Sequence, residues 1–280
     1  MTQESVFANT YAVISGGSSG IGFAIAKQFV KRGGSVVLLA RQVEKLKHCQ
    51  QELQLLCKLE RQFVEFCSVD LCDFEALQTA LHPFLEKHGT PEYVIHSAGV
   101  VYPAVFEKTN IDRFHWMMDT NYFAAVNLFQ IMVPLMKARK SGHLVAMGSA
   151  ASFLAIWGYS AYNGSKFAIR GLCDTLRSEL KPYNVKVSIV FPPDTDTPQL
   201  AYENQFKPKI TQEIAGTIQP LSADFVAEKI IEGIIKNKYM IMPDTGTKIV
   251  FRLVNFLGGG TYKLLDYLTS KAIKKYGLDS

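Results

Sequence analysis

The chain has 280 residues, 48% of them apolar, and a formal net charge of +5. That length and composition suit one α/β domain with a sizeable core. Six basic and two acidic residues lie between Thr247 and Ser280, which leaves only +1 for the preceding 246 residues and excludes a basic nucleic-acid groove in the main body.

Residues 1–10 lack a basic start followed by an apolar run, and no uninterrupted apolar stretch of about 18 residues follows, so neither a signal peptide nor a membrane span is expected. The five cysteines, Cys49, Cys57, Cys67, Cys72 and Cys173, lack paired spacing and read as reduced thiols of a cytosol-like compartment, with no metal-ligand pattern around them. A cytoplasmic protein, at most peripheral on a membrane, is the expectation.

From Thr10 onward, short β-branched runs alternate with helical patterns. Strands are predicted at Tyr11–Ser15, Ser35–Ala40, Phe63–Phe66, Tyr93–Ile95, His143–Met147 and Val185–Val190, with helices near 21–32, 43–59, 73–88, 111–139 and 161–181. Nearly all-apolar strands in βα alternation predict a parallel sheet covered on both faces, a doubly wound Rossmann-type fold with right-handed crossovers. After Val190 the prolines of 191–198 exclude a regular element and predict a loop at a strand's carboxyl end. A polar, mobile connection over 199–220, a helix near 222–237 and a strand at Tyr239–Met242 complete a single domain over 1–246. Residues 247–280 form an amphipathic tail.

Three local patterns carry chemistry. Ser15-Gly-Gly-Ser-Ser-Gly-Ile-Gly22 lies between the first strand and first helix, where glycines 16, 20 and 22 let a pyrophosphate approach backbone amides. The second strand ends at Ala40-Arg41, where NAD-binding chains commonly place a carboxylate for the ribose 2′-hydroxyl; an arginine there, with Ser18 nearby, favours the 2′-phosphate of NADP(H). Asp70, after the third strand, suits either an adenine amino group or the N-cap of the next helix. Finally, Tyr162 and Lys166 are one helical turn apart, so the ammonium is expected to stabilise phenolate and to hold a ribose.

Taken together, these patterns resemble the short-chain dehydrogenase/reductase family, with Ala98-Gly99 after the fourth strand, Asn121 in Thr120-Asn-Tyr-Phe, and Ser149 13 positions before Tyr162. The resemblance covers roughly residues 8–245. It implies that Ser149 polarises a carbonyl, Tyr162 exchanges the proton, Lys166 tunes it and Asn121 supports a water-linked relay. It also implies cofactor contacts from Gly16, Ser18, Ser19, Gly20, Ile21, Gly22, Arg41, Asp70, Leu71, Ala98, Gly99, Pro192, Thr195 and Thr197, and a homo-oligomer, dimer or tetramer. The chain departs from the family pattern at His96-Ser97, where two asparagines are usual, and at Pro192-Pro193, where Pro-Gly is usual; loss of the amides removes expected support for the central sheet.

A narrower similarity, concentrated in 149–208, is to the branch of the family that reduces the 3-keto group of long-chain sphingoid bases with NADPH. It rests on Lys166-Phe-Ala-Ile-Arg-Gly-Leu172, Lys181-Pro-Tyr-Asn-Val185, Phe191-Pro-Pro-Asp-Thr-Asp-Thr-Pro198, Glu203-Asn204 and Lys207-Pro208. It implies a lipid-like substrate, whose ammonium Asp194 or Asp196 is placed to face unless they cap turns. Phe251, Val254, Phe256, Leu257, Leu264, Leu265 and Leu268 are then the expected apolar supply for an acyl chain, in a hairpin broken at Gly258-Gly-Gly260. The tail either lies on a membrane surface or packs on its own domain or a twin subunit. A steroid, retinoid or other lipid carbonyl is the alternative substrate, and a non-catalytic NADP(H)-binding regulator the alternative class.

Overall fold

The computed structural model describes residues 5–215 and 219–277. The first half repeats one unit: β1 (Tyr11–Ser15), α1 (Gly20–Lys31), β2 (Ser35–Ala40), α2 (Val43–Gln54), β3 (Val64–Ser68), α3 (Phe74–His88) and β4 (Tyr93–His96). It continues with α4 (Ile111–Met118), α5 (Ala124–Arg139), β5 (Gly142–Met147), α6 (Ser160–Glu179) and β6 (Val185–Val190). Beyond it lie β7 (Thr195–Asp196), α7 (Pro198–Glu203), α8 (Lys209–Ala215), β8 (Leu221–Ser222), α9 (Ala223–Ile235), β9 (Met240–Ile241), α10 (Thr245–Leu257) and α11 (Gly260–Tyr276).

Seven parallel strands run in the order β3-β2-β1-β4-β5-β6-β9. Chain order reverses between β1 and β4, so the crevice at their carboxyl ends is where such a sheet receives ligands. All five residues of β1 are buried, as a strand covered on both faces requires. Its alternate side chains serve two cores. Ala12 and Ile14 join Ile25 and Phe29 of α1 and Ile230 and Ile234 of α9; Val13 joins Leu77 of α3, Leu128 of α5 and Ile169 of α6 on the other face.

Three expectations are corrected. The second helix stops at Gln54 rather than 59, because the Gln62 side chain accepts from the Lys58 and Leu59 amides and donates to the Val30 and Gly34 carbonyls, which pulls the chain back toward α1. The long helix predicted over 111–139 is interrupted by a π-helical turn at Asp119–Phe123. The segment after β6 is structured: Thr195–Asp196 pairs in parallel with Leu221–Ser222, Thr197 caps α7 by accepting from the Leu200 amide, and 198–215 holds two short helices, residues 216–218 of the expected connection lying outside the described ones.

The substitution at His96 keeps β4 tied to β1 by other means. Its Nδ1 pairs with the Ser15 hydroxyl at 3.0 Å, and Ser15 Oγ accepts from the Ser97 and Ala98 amides. Burial, with Lys166 nearby, pushes the imidazole down to about 3; burial does the same to His143, also to about 3. Both rings are neutral in the folded chain and charged when it unfolds in acid. The stability they hold is therefore complete above about pH 6.5 and is lost as pH falls toward 3. In urea unfolding between about pH 7 and 5, His96→Asn should lower proton uptake on unfolding by about one; an unchanged slope would show that His96 is already charged in the fold.

Candidate active site

Every strand in the order β1 to β6 delivers a residue to one cavity of about 780 Å3 at the sheet's carboxyl edge. Gly16, Ser18, Ser19, Gly20, Ile21 and Gly22 follow β1, and Arg41 follows β2. Asp70 and Leu71 follow β3, Ala98 and Gly99 follow β4, Ser149 follows β5, and Pro192, Thr195 and Thr197 follow β6. Tyr162 and Lys166 enter from α6. The structure thus gathers every expected catalytic and cofactor-contacting residue into one lining, except Asn121, which is absent from it.

The glycine turn is a close-approach surface. A Cβ at Gly16, whose φ is +65°, would lie 2.7 Å from the Ala98 amide nitrogen, and one at Gly22 would lie 2.4 Å from the Gly16 carbonyl oxygen. Ser19, the N-cap of α1, makes no side-chain capping bond, so the first amides of that helix remain available to an anion. At the far end Arg41 is exposed and pairs with no carboxylate among the described residues. Lys45 lines the same end and was missed in the sequence. Its signal is a cation in the first turn of α2, where the helix dipole disfavours one unless an anion binds beside it. Asp70 is not the cap of α3, a role that belongs to Asp73; its Oδ1 accepts from the Cys72 amide and shapes the turn that edges the cavity. These donors fit a phosphorylated dinucleotide whose adenosine end carries an additional phosphate.

The proton-transfer end is built on α6. Tyr162, 9% exposed, lies beside the Ser149 hydroxyl, and Ser149 is itself fixed by the Ser152 hydroxyl on its amide and the Ala151 amide on its Oγ. Lys166, 4% exposed, donates to the Met147 carbonyl at 2.9 Å, and its Nζ lies 5.7 Å from the Tyr162 ring centroid. Burial pushes the ammonium down to about 8. The phenol departs from the expectation: burial raises it above its ordinary range, the Glu203 and Asp194 carboxylates add to the rise, and only Ser149 opposes it. Tyr162 therefore holds its proton at neutral pH.

Asn121 is 1% exposed, and its amide is fully committed: Oδ1 accepts from the Val100 amide, while Nδ2 donates to the Val100 carbonyl and to Ser165 Oγ. It clamps the segment after β4 to α6 from within the π-helical turn, a local irregularity that recurs at functional sites. The Thr195 and Thr197 hydroxyls are also engaged, donating to the Pro193 carbonyl and accepting from the Leu200 amide respectively.

The cavity has a second, apolar limb. Leu154, Ile156 and Ile214 line it together with Val250, Leu253, Val254 and Leu257 of α10 and Leu264, Leu265 and Leu268 of α11. Two of the expected tail residues do not take part: Phe256 is 88% exposed, and Phe251 packs on Phe153 and Phe191 at ring-centroid distances of 5.1 and 6.0 Å. No helix among the described residues is long and apolar enough to cross a membrane.

Comparison with known proteins agrees with this geometry. A family model described as short chain dehydrogenase matches residues 10–208. A "3-dehydrosphinganine reductase" of Danio rerio is 36% identical over 228 residues, covering 80% of this chain and 69% of that one. A "3-ketodihydrosphingosine reductase" of Dictyostelium discoideum is 32% identical over 282 residues, covering 96% and 84%. Among solved structures, an alcohol dehydrogenase from the archaeon Thermococcus sibiricus complexed with 5-hydroxy-NADP is similar with a TM-score of 0.71 and 26% identity, over 83% of this chain and 95% of that one.

Proposed function

The chain belongs to the short-chain dehydrogenase family, and from that premise we propose that it is an NADP(H)-dependent reductase of a long-chain 3-keto amine, 3-ketodihydrosphingosine, to the corresponding alcohol. One observation carries the reading: a single cavity joins a phosphate-binding glycine turn, a buried Ser149-Tyr162-Lys166 set and an apolar limb long enough to leave the reacting centre and reach α10 and α11. The names of the Danio and Dictyostelium relatives support the substrate class, and the second matches over 96% of this chain, so the tail lies within the similarity.

NADPH, when bound, supplies the hydride to the carbonyl carbon. The chain's residues do the rest. Ser149 and Tyr162 both direct hydroxyls at the carbonyl oxygen, which accepts the Tyr162 proton as the oxygen gains charge. Lys166 and the uncapped amides of α1 hold anionic or hydroxyl-bearing parts of the cofactor, and Arg41 with Lys45 receives the 2′-phosphate. Asn121 is a positioning residue that keeps the segment after β4 and α6 in register.

The outward face of the α10–α11 hairpin exposes Ile249, Phe256, Tyr262 and Tyr267 beside Lys248, Arg252 and Lys263. That pattern suits a membrane surface bearing anionic headgroups, from which a long-chain substrate enters the apolar limb. Exposed Ile111, Phe123 and Phe167 supply apolar surface on the α4–α6 side for a homo-oligomer.

The test is cofactor oxidation by purified protein with 3-ketodihydrosphingosine, comparing NADPH with NADH in the native chain and in Arg41→Asp. NADPH should be preferred by the native chain, and the substitution should raise its KM about 10- to 100-fold with little change for NADH. Unchanged NADPH affinity in Arg41→Asp would overturn the assignment of Arg41. No oxidation with this substrate, alongside oxidation with another lipid ketone, would overturn the substrate.

A further inference from the structure

The segment after β6 brings three charged side chains, Asp194, Glu203 and Lys207, to the wall of the cavity beside Tyr162, where they meet Tyr159 from the start of α6. Glu203, its side chain 13% exposed, accepts a hydrogen bond from the Tyr159 hydroxyl and lies 3.0 Å from Lys207 Nζ; Lys207, 9% exposed, also lies 3.8 Å from Asp194 Oδ2. The Tyr159 and Tyr162 rings are 5.8 Å apart. Tyr159, Asp194, Glu203 and Lys207 all line the cavity, whereas Asp196, the other aspartate of the motif, is exposed on β7 and does not.

Two carboxylates face one ammonium, so this part of the wall keeps one negative charge in excess. Lys166 forms no ion pair with either carboxylate, its ammonium donating to the Met147 carbonyl at 2.9 Å. Glu203 takes the closer share of Lys207, at 3.0 Å against 3.8 Å for Asp194, so the excess negative charge faces the cavity at the Asp194 end and attracts a cationic ligand there. The rest of the cavity states what else that ligand carries. Ser149 and Tyr162 mark the position of a carbonyl, and the apolar limb toward Leu253, Leu264 and Leu268 receives a chain on its far side.

We infer that Glu203 and Asp194 are the receptor for a primary ammonium on the carbon next to the reacting carbonyl, with Lys207 holding the two carboxylates in place. This deepens the reading of the site as a reductase of a long-chain 3-keto amine, on which it rests. The amine fixes one end of the substrate and the chain the other, so the carbonyl between them is presented to Tyr162 in one orientation. The motif Glu203…Lys207, which raises the Tyr162 phenol but makes up neither the glycine turn nor the Ser149-Tyr162-Lys166 set, is thereby the determinant that separates an amino ketone from a plain one.

The test compares 3-ketodihydrosphingosine with its des-amino analogue of equal chain length, in the native chain, Glu203→Gln and Asp194→Asn. The native chain should favour the amine about 10- to 100-fold in kcat/KM. Glu203→Gln should bring the ratio close to one, with the change in KM for the amine, and Asp194→Asn should lower it about threefold or more. NADPH binding, read by quenching of protein fluorescence, establishes that each variant is folded. If Glu203→Gln loses that binding, Asp194→Asn decides, since its side chain is half exposed and lacks the Tyr159 bond. Equal native activity on both ketones would overturn the ammonium receptor and leave the reductase reading standing, as would a ratio that neither variant changes. Reduction of neither long-chain ketone would overturn the reductase reading itself.

Discussion

Tyr162→Phe is expected to lower kcat for carbonyl reduction by about 10²- to 10⁴-fold while NADPH affinity stays within about threefold. The substitution removes one oxygen and leaves a ring that is already packed, since Tyr162 is 9% exposed and its ring lies against Tyr159. The proton at stake is firmly held in the free protein: burial first, then Glu203 and Asp194, raise the phenol above its usual range. A phenol in that state is charged with the proton that reduction consumes, and the reverse reaction must first remove it. Single-turnover measurement with enzyme in excess over substrate isolates the chemical step. A rate within tenfold of the native one would mean that another acid, with Ser149 the nearest, supplies the proton.

The second large effect concerns the tail. Placing glutamate at both Leu264 and Leu268 should lower kcat/KM for the long-chain ketone by about 10²-fold or more, and for a short soluble ketone by less than about threefold. At about 0.8 kcal/mol per buried methylene, eight chain carbons sheltered in the apolar limb contribute about 6 kcal/mol before ordering costs, and two carboxylates in that limb remove most of it. Deleting 247–280 is the blunter test, because Phe251 packs on Phe153 and Phe191 and its loss opens the core beneath the site. The point variants spare those rings. Equal losses on both substrates, in a protein that still binds NADPH, would assign the limb to structure alone.

Much of this site was readable in the chain because its determinants are local. Strands buried on both faces show as unbroken apolar runs, and the tyrosine and lysine of α6 are one turn apart. The glycines sit where backbone must meet backbone. What escaped reading depends on partners far apart in sequence. The π-helical turn exists because Asn121 pairs with Val100, and α2 ends early because Gln62 reaches back to Val30 and Gly34. The prolines of 191–198 suggested an irregular loop, yet Leu221 and Ser222 offer it a pairing partner and Pro198 begins a helix, a first-turn position where its missing amide costs nothing. The rise of the Tyr162 phenol could not be foreseen from Lys166, because it comes from burial and from carboxylates of the segment that follows β6.

The packing of α1 against α9 bears on the order in which the chain can fold. Ile25 and Phe29 of the first helix find Ile230 and Ile234 only near the end of the domain, so the core on that side of the sheet stays open while the residues between them are synthesised. Contacts so distant in sequence form late and slowly, and until they form the glycine turn at the head of α1 rests on a half-covered sheet. A nascent or truncated chain that stops before Ala223 therefore exposes an apolar helix face to solvent and to chaperones, and ligand binding at the turn waits on about the last fifth of the sequence.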